Sequence, residues 1–153
     1  IDPYLPWGSN PITNHFLGSD NFRIYTDGAE CDRLEKTLAI AELSDITVNL
    51  RVCWESPSLG LNCGRCEKCI RTILGFKAVG LPVPRCFPGH LTLREIAEVR
   101  IHNAVAIEHF SKVLLRAREN GFEKTDWYRA LSRVVKDTWR SRLTRSAKSF
   151  LKF

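Results

Sequence analysis

Four of the six cysteines follow the pattern C-x9-C-x2-C-x2-C, a spacing that suits metal binding. They are Cys53, Cys63, Cys66 and Cys69. Two residues between cysteines form a tight turn that aims both sulfurs at one point, about 2.3 Å from each sulfur in a zinc site. With Cys53 as the fourth ligand, the pattern predicts a tetrahedral Zn²⁺ site. Because sulfur fills all four positions, the predicted zinc is structural and has no place for an activated water.

Other chemistries of these thiols stay open at the level of the sequence. Free thiols or two disulfides are the plainer alternatives, but no secretory signal accompanies the cysteines. An iron–sulfur cluster is the main rival metal centre, although the Cys-Pro that ends ferredoxin-type runs is missing here. Gly64 falls where the turn requires an unusual backbone angle. Arg65, Lys68 and Arg71 are near enough in sequence to offset the charge of a zinc tetrathiolate.

Short elements are predicted to position these cysteines. The segment 31–43 has helical spacing of its leucines, with Asp32 at its start. Residues 22–26 and 46–52 alternate or are β-branched, so we predict two short strands, the second delivering Cys53 at its end. Residues 67–80 predict a helix that carries Cys69 and closes at Gly80 in the left-handed cap position.

Beyond a Pro-rich break at residues 81–90, the sequence predicts helices only. Thr92 to Glu95 fits a capping box, and helical spacing runs on to Gly121 with an interruption near His102 and Asn103. The last helical stretch covers residues 125–153. From residue 129 to the end there are eight Lys or Arg and one Asp, so this tail carries +7 while the rest of the chain carries −1, for the total of +6.

The composition bounds the class of protein. With 153 residues, 44% of them hydrophobic and 26% charged, the chain predicts one domain, or one domain with an appendage. It has neither an apolar run of membrane-spanning length nor a signal peptide, so we expect a cytoplasmic protein. It contains no methionine and opens on loop-like residues, from which we expect a fragment of a longer protein or a processed chain.

The remaining chemistry-bearing residues carry no site in this interpretation. Cys31 and Cys86 fall outside the cysteine pattern and are expected to be ordinary buried or free thiols. The four histidines show no ligand spacing among themselves, so no catalytic histidine is assigned. They are His15, His90, His102 and His109.

Cys53 together with "CGRCEKCIRTILGFKAVG" resembles the C-terminal zinc motif of the 7-cyano-7-deazaguanine synthases, the ExsB-like branch of the PP-loop ATP pyrophosphatases. That pattern is approximately C-x8-C-G-x-C-x-x-C-x-x-R-x-x-G-F-x-x-A-G. The chain matches it at the four cysteines, Gly64, Gly75 and Phe76 and, shifted by one, at Ala78 and Gly80. Arg71 lies one place from the family's arginine. The resemblance covers about residues 32–84, one third of the chain.

The resemblance implies a fold and an activity. It implies that residues 1–87 are the C-terminal part of a PP-loop-like α/β domain. Residues 88–153 lie beyond the resemblance, and their helical pattern predicts a helical extension, so we expect an α+β chain that is predominantly helical, with short strands and a four-Cys zinc knuckle. The resemblance implies a zinc-bearing portion of an ATP-dependent enzyme that adenylates a small-molecule carboxylate or base. The family's phosphate-binding Ser-Gly-Gly-x-Asp-Ser loop is absent from this sequence, so ATP and Mg²⁺ would bind only with a missing N-terminal PP-loop portion, and this chain alone is not expected to be catalytically competent.

A second class of function remains open. The chain could be a stand-alone zinc-knuckle module whose basic C-terminal helix binds RNA or another acidic partner. The basic tail also fits a solvated helix face, which is the more common role of such a charge pattern, and the tail's aromatic residues are more often core than stacking groups.

Overall fold

Capping side chains mark where several of the helices begin. The computed structural model describes residues 10–56 and 61–150, and this part of the chain is predominantly helical. A 3₁₀ helix, Asn14–Leu17, precedes a series of α-helices. These are α1 (Arg33–Ala41), α2 (Ser44–Thr47), α3 (Glu67–Ala78), α4 (Leu93–Ala97), α5 (Ala104–Glu119) and α6 (Asp126–Phe150).

Two capping boxes fix the starts of α1 and α4. The Asp32 carboxylate accepts from the Glu35 N–H at 2.9 Å, and the Glu35 carboxylate accepts from the Asp32 N–H at 2.6 Å. Thr92 and Glu95 exchange the same pair of hydrogen bonds at α4. Each box satisfies backbone donors that a helix start otherwise leaves unpaired. The predicted helices at both places are confirmed.

The predicted helix ends and the predicted interruption are also confirmed. Gly80 has φ +74° and follows α3, where the Leu81 N–H donates to the Phe76 carbonyl at 2.9 Å. The interruption coincides with Asn103, whose side chain accepts from the Ala106 N–H at 2.8 Å and so caps α5. Gly121 has φ +79° and lies beyond the end of α5. Such positive φ angles favour glycine because it has no Cβ.

The strand predicted for residues 22–26 is wrong. Within the described residues the structure contains no β-strand, only an isolated bridge between Ser19 and Phe22. Those two residues exchange backbone hydrogen bonds of 2.7 and 3.1 Å in a tight local turn. The residues that follow find no neighbouring strand, and an extended segment alone is not stable.

The strand predicted for residues 46–52 is also wrong. Ile46 and Thr47 donate their backbone N–H groups to the Leu43 carbonyl, which places them in α2. Residues 50–53 are outside any helix. The Val52 N–H and the Leu50 carbonyl form hydrogen bonds with the Asn62 side chain instead of with a neighbouring strand. The alternation of residue types therefore reflects β-propensity, which depends strongly on context.

The main hydrophobic core lies where α3, α5 and α6 meet, with contributions from α1 and α4. Its fully buried members include Leu74 of α3, Phe110 of α5 and Leu131 of α6. The core therefore combines residues from both sides of the domain boundary predicted near residue 87, and that boundary stays a prediction. A second, smaller cluster contains Ile73, Phe87 and the cysteines Cys53, Cys66 and Cys69.

The apolar stripe of α6 is buried only in its first half. Leu131 and Val135 pack in the core, whereas Trp139 and Leu143 are exposed. The basic side chains Arg129, Arg133, Lys136, Arg140 and Arg142 are also exposed. The side chains of residues 145–150 and the whole of residues 151–153 lie outside the described part, which includes the tail residues Arg145, Ala147 and Lys148. None of the described helices combines the length and the apolar composition that crossing a membrane requires.

Candidate metal centre

The four predicted ligand cysteines lie together in the structure. Their sulfur atoms are all within 4.8 Å of one another. Cys53 comes from the extended segment after α2, Cys63 and Cys66 come from the loop before α3, and Cys69 lies in the first turn of α3. The structure thus brings together sulfurs that can hold a metal ion, and the identity of the metal stays a prediction.

The sulfur separations fit a small tetrahedral ion. Four sulfurs at about 2.3 Å from a central zinc are about 3.8 Å apart. The Cys63 and Cys69 sulfurs are 3.9 Å apart, and a small inward movement of the more distant sulfurs completes the tetrahedron. Cys53, Cys66 and Cys69 are buried and Cys63 is partly exposed, so a bound ion would be largely shielded from water.

Backbone donors point at two of the sulfurs. The Glu55 N–H donates to the Cys53 sulfur, and the Cys66 N–H donates to the Cys63 sulfur, both at 3.3 Å. At Cys53 such a bond favours the thiolate form, which is the form that binds metals. Cys66 is also the N-cap of α3, where the positive end of the helix dipole favours negative charge.

The thiols differ in how readily they ionise. Burial works to raise the pKa of Cys53, but hydrogen bonds from the backbone and thiol of Cys63 and from the backbone of Glu55 bring this pKa down to about 6. Burial raises the pKa of Cys66 to about 11, and burial also raises the pKa of Cys69. Four adjacent thiolates repel one another, so a divalent cation is what permits all four to be ionised together.

Asn62 fastens the backbone around the site, and the sequence did not reveal this role. Its side chain accepts from the Val52 N–H at 3.0 Å and donates to the carbonyls of Leu50 at 2.8 Å and Cys86 at 3.1 Å. One buried amide therefore links the segment before Cys53, the residue before Cys63 and the loop after α3. Its adjacency to Cys63 was visible in the sequence, but its distant partners were not.

Gly64 is required by its backbone conformation, as predicted. It has φ +76°, and a Cβ at this position would lie 3.2 Å from both the Cγ and the carbonyl oxygen of Pro88. A larger residue would therefore strain the turn and also press on the following loop. The turn between Cys63 and Cys66 keeps its shape because this position has no side chain.

Two of the three basic residues expected to offset the thiolate charge have other partners. The Lys68 ammonium lies 2.7 Å from the centre of the Trp54 ring, a cation–π contact. Arg71 Nη1 lies 3.0 Å from Glu67 Oε1, and Arg65 is exposed. Burial lowers the pKa of Arg71, whereas the negative charges of Glu67 and Cys66 act to raise it. The Arg71 charge therefore interacts with the thiolate of Cys66.

The residues that the sequence placed outside the site also lie outside it in the structure. Cys31 and Cys86 do not join the four-sulfur cluster, and burial raises the pKa of the partly buried Cys86. No histidine belongs to a metal-binding group in the described part of the chain. Comparisons of the chain with protein-family models, with curated proteins and with solved structures find no match.

Proposed function

We propose that the chain is the zinc-bearing C-terminal portion of an ATP-dependent enzyme similar to the 7-cyano-7-deazaguanine synthases. The observation that carries the proposal is the convergence of the Cys53, Cys63, Cys66 and Cys69 sulfurs within 4.8 Å. The order of these cysteines is that of the family's zinc motif, with one more residue between the first and second. With sulfur at every position, the zinc is structural, and it holds the segment before α3 against the first turn of α3.

Exposed apolar side chains support the idea that a further portion covers this chain. Of the fourteen exposed large hydrophobic residues in the described part of the chain, ten fall between Ile12 and Leu61. Ten exposed large apolar side chains within one region are more than scattered surface residues usually amount to, and apolar surface commonly marks an interaction site. We propose that the occupant is an N-terminal PP-loop portion, which would supply the ATP site and act on a small-molecule carboxylate or base.

The described residues contain no β-sheet, so this proposal assigns the PP-loop sheet to the N-terminal portion. The Gly-containing stretch at Leu17–Asp20 follows a 3₁₀ helix and does not open an α-helix. It therefore lacks the row of N–H groups that cradles phosphates in such loops.

The reading frame upstream of Ile1, and the activity of the protein it encodes, test this proposal. We expect a strand followed by Ser-Gly-Gly-x-Asp-Ser, and we expect the longer protein to release pyrophosphate from ATP when given a carboxylate or base substrate. The 153-residue chain alone should release none. Pyrophosphate release by the 153-residue chain, or an upstream frame without the loop, would contradict the proposal.

A second candidate function rests on the basic face of α6. Arg129, Arg133, Lys136 and Arg140 line an open surface groove of about 340 Å³ together with Tyr128. A row of exposed cations beside an aromatic ring suits the phosphate backbone and bases of RNA. In this alternative the zinc knuckle is a stand-alone scaffold and the helix is the binding element.

Titration with mixed tRNA at low salt separates the two candidates. Arg133→Gln combined with Arg140→Gln should weaken RNA binding and reduce its salt dependence. With fewer phosphate contacts, fewer counterions are released when the RNA binds. Arg100→Gln combined with Arg118→Gln removes the same charge elsewhere and should have a smaller effect. Binding weaker than about 100 μM at low salt, or equal losses in the two double variants, would remove the RNA candidate.

A further inference from the structure

A small cavity between α1, α3 and α5 is surrounded by basic side chains. Its volume is about 20 Å³, which is room for one water-sized group. The basic groups that line it are Arg33 of α1, Arg71 of α3, and His109 and Lys112 of α5. None of the four ligand cysteines lines this cavity, so it is distinct from the metal centre.

Arg71 provides a buried donor that lacks an acceptor. Its side chain is only 10% exposed, and its Nε atom is buried with no hydrogen-bond partner, as is Oε1 of the neighbouring Glu67. The same guanidinium contacts Glu67 through Nη1 at 3.0 Å, so one edge is neutralised and the Nε–H remains available. A buried charged donor without an acceptor costs more than a typical hydrogen bond contributes. An oxygen placed in the cavity would remove that cost.

The charges around the cavity leave an excess of positive charge. Arg33, Arg71 and Lys112 contribute +3, while the carboxylates of Glu67 and Glu108 contribute −2 through ion pairs with Arg71 and Lys112. The sum is +1, and it resides on Arg33, which forms no ion pair with any described residue. The Thr37 and Thr72 hydroxyls donate to the carbonyls of Arg33 and Lys68, so their protons are engaged within the helices.

His109 responds to this positive surrounding. Burial first, and then the charges of Arg71 and Arg33, lower the pKa of His109 to about 4; Lys112 adds to this and Glu108 opposes it. The imidazole is therefore neutral at pH 7 and offers one N–H donor and one acceptor. A bound anion would offset the positive potential that Arg71, Arg33 and Lys112 create around His109, and His109 would not need to take up a proton.

We propose that this cavity binds a small oxyanion of the phosphate class. One oxygen enters the cavity and accepts a hydrogen bond from Arg71 Nε–H, while the remaining oxygens stay at the mouth beside Arg33 and Lys112. A phosphate suits the site better than a carboxylate because its additional oxygens can contact Arg33 and Lys112 at the mouth while one oxygen meets Arg71, and its monoanionic form balances the net charge of +1. Gly75 also lines the cavity, and a Cβ at this position would lie 3.4 Å from Cδ2 of Leu34, another lining residue. The inference does not depend on the metal or on the proposed enzyme.

Calorimetric titration of the zinc-loaded full chain with inorganic phosphate at fixed ionic strength tests the proposal. We expect saturable binding of one phosphate per chain, with acetate binding at least about tenfold more weakly because its two oxygens can make fewer charge-assisted contacts with the three cations. Arg33→Gln should weaken phosphate binding about tenfold through loss of a charge-assisted contact. Because Arg33 is exposed, this variant should fold normally, which circular dichroism checks.

Two further variants make the test specific. Arg118→Gln removes the same charge from an exposed position on α5 that does not line the cavity, and it should bind phosphate as the unaltered chain does. Gly75→Ala adds a methyl group without changing charge; alanine suits a helix, so the variant should fold and bind phosphate more weakly. Absence of saturable binding, acetate binding equal to phosphate, or equal losses in Arg33→Gln and Arg118→Gln would overturn the proposal.

Discussion

Two regions of this molecule use apolar side chains in opposite ways. The N-terminal region, residues 10–56 with Leu61, contains ten of the fourteen exposed large hydrophobic residues but only two of the nineteen buried hydrophobic ones, Leu34 and Cys53. The helical region, residues 62–144, contains the other seventeen. Tyr25, Trp54 and Phe16 are 82%, 78% and 74% exposed, whereas Phe76 and Phe110 are almost fully buried.

The difference indicates what stabilises each region. The helical region has a core of its own, built from α3, α4, α5 and α6. The N-terminal region buries too few apolar groups to offset the conformational entropy it loses on folding. In the proposed holo protein it is attached to the rest of the chain at α1, through Leu34, and at Cys53, through the metal and Asn62.

Of the changes considered, loss of the metal should lower the stability of the chain most. Cys66→Ser removes one ligand, and metal binding is coupled to folding, so we expect a loss of several kcal/mol in the free energy of unfolding and poorly soluble protein. Cys31→Ser lies outside the cluster and should retain metal and stability.

Chelation gives the same test on unaltered protein. Amide hydrogen exchange measured before and after zinc removal should show lost protection around residues 50–56 and 62–69, with smaller changes in α5 and α6. Unchanged exchange around Cys53 after complete removal of the metal would show that the metal does not hold this segment in place.

Truncating one phenylalanine in each region should separate the regions clearly. Phe110→Ala leaves a cavity in the main core and should cost about 3–5 kcal/mol. Phe16→Ala removes an exposed ring and should change stability by no more than about 0.5 kcal/mol. Denaturant unfolding followed by circular dichroism measures both. Equal costs would mean that the N-terminal region has a core of its own after all.

Asn62 should have an intermediate effect because it links the regions. Asn62→Ala removes three hydrogen bonds and leaves three partly buried backbone groups without these partners, so we expect a loss of about 1–3 kcal/mol. Competition with a chelator should also show weaker zinc binding, since the backbone before Cys53 is less well held. Asn21→Ala changes an exposed amide in the N-terminal region and serves as the control. If Asn62→Ala binds zinc as tightly as the unaltered chain does, Asn62 does not support metal binding.

The smallest expected effect belongs to a helix cap. Thr92→Ala breaks the capping box of α4 and should cost about 1 kcal/mol, whereas Thr92→Ser keeps the hydroxyl and should restore most of it. Thermal unfolding of the zinc-loaded variants measures the difference. Equal stability of the two variants would show that the cap hydrogen bonds contribute nothing measurable.

Features set by neighbours in sequence were predictable. Asp32, Thr92 and Gly80 act within one turn of their own positions, so their capping roles could be predicted from residue type and spacing. The approach of Cys63, Cys66 and Cys69 follows from their separation by two residues each. The approach of Cys53 required the further assumption that its segment returns to the knuckle, which the structure supports.

Features set by distant neighbours were not predictable. The segments 22–26 and 46–52 have strand-like composition, but a strand exists only beside another strand, and the described part of the chain offers none. Asn62 bonds to residues 10 to 24 positions away. The basic cavity is formed by Arg33, Arg71 and Lys112, which belong to three different helices and share no sequence pattern.

The most direct test of the central claim is the metal content and coordination of the purified chain. Elemental analysis should find about one zinc per chain, and X-ray absorption should find four sulfurs at about 2.3 Å from it. A folded, metal-free chain with four titratable thiols among Cys53, Cys63, Cys66 and Cys69 would contradict the claim, as would an iron–sulfur cluster bound by these residues.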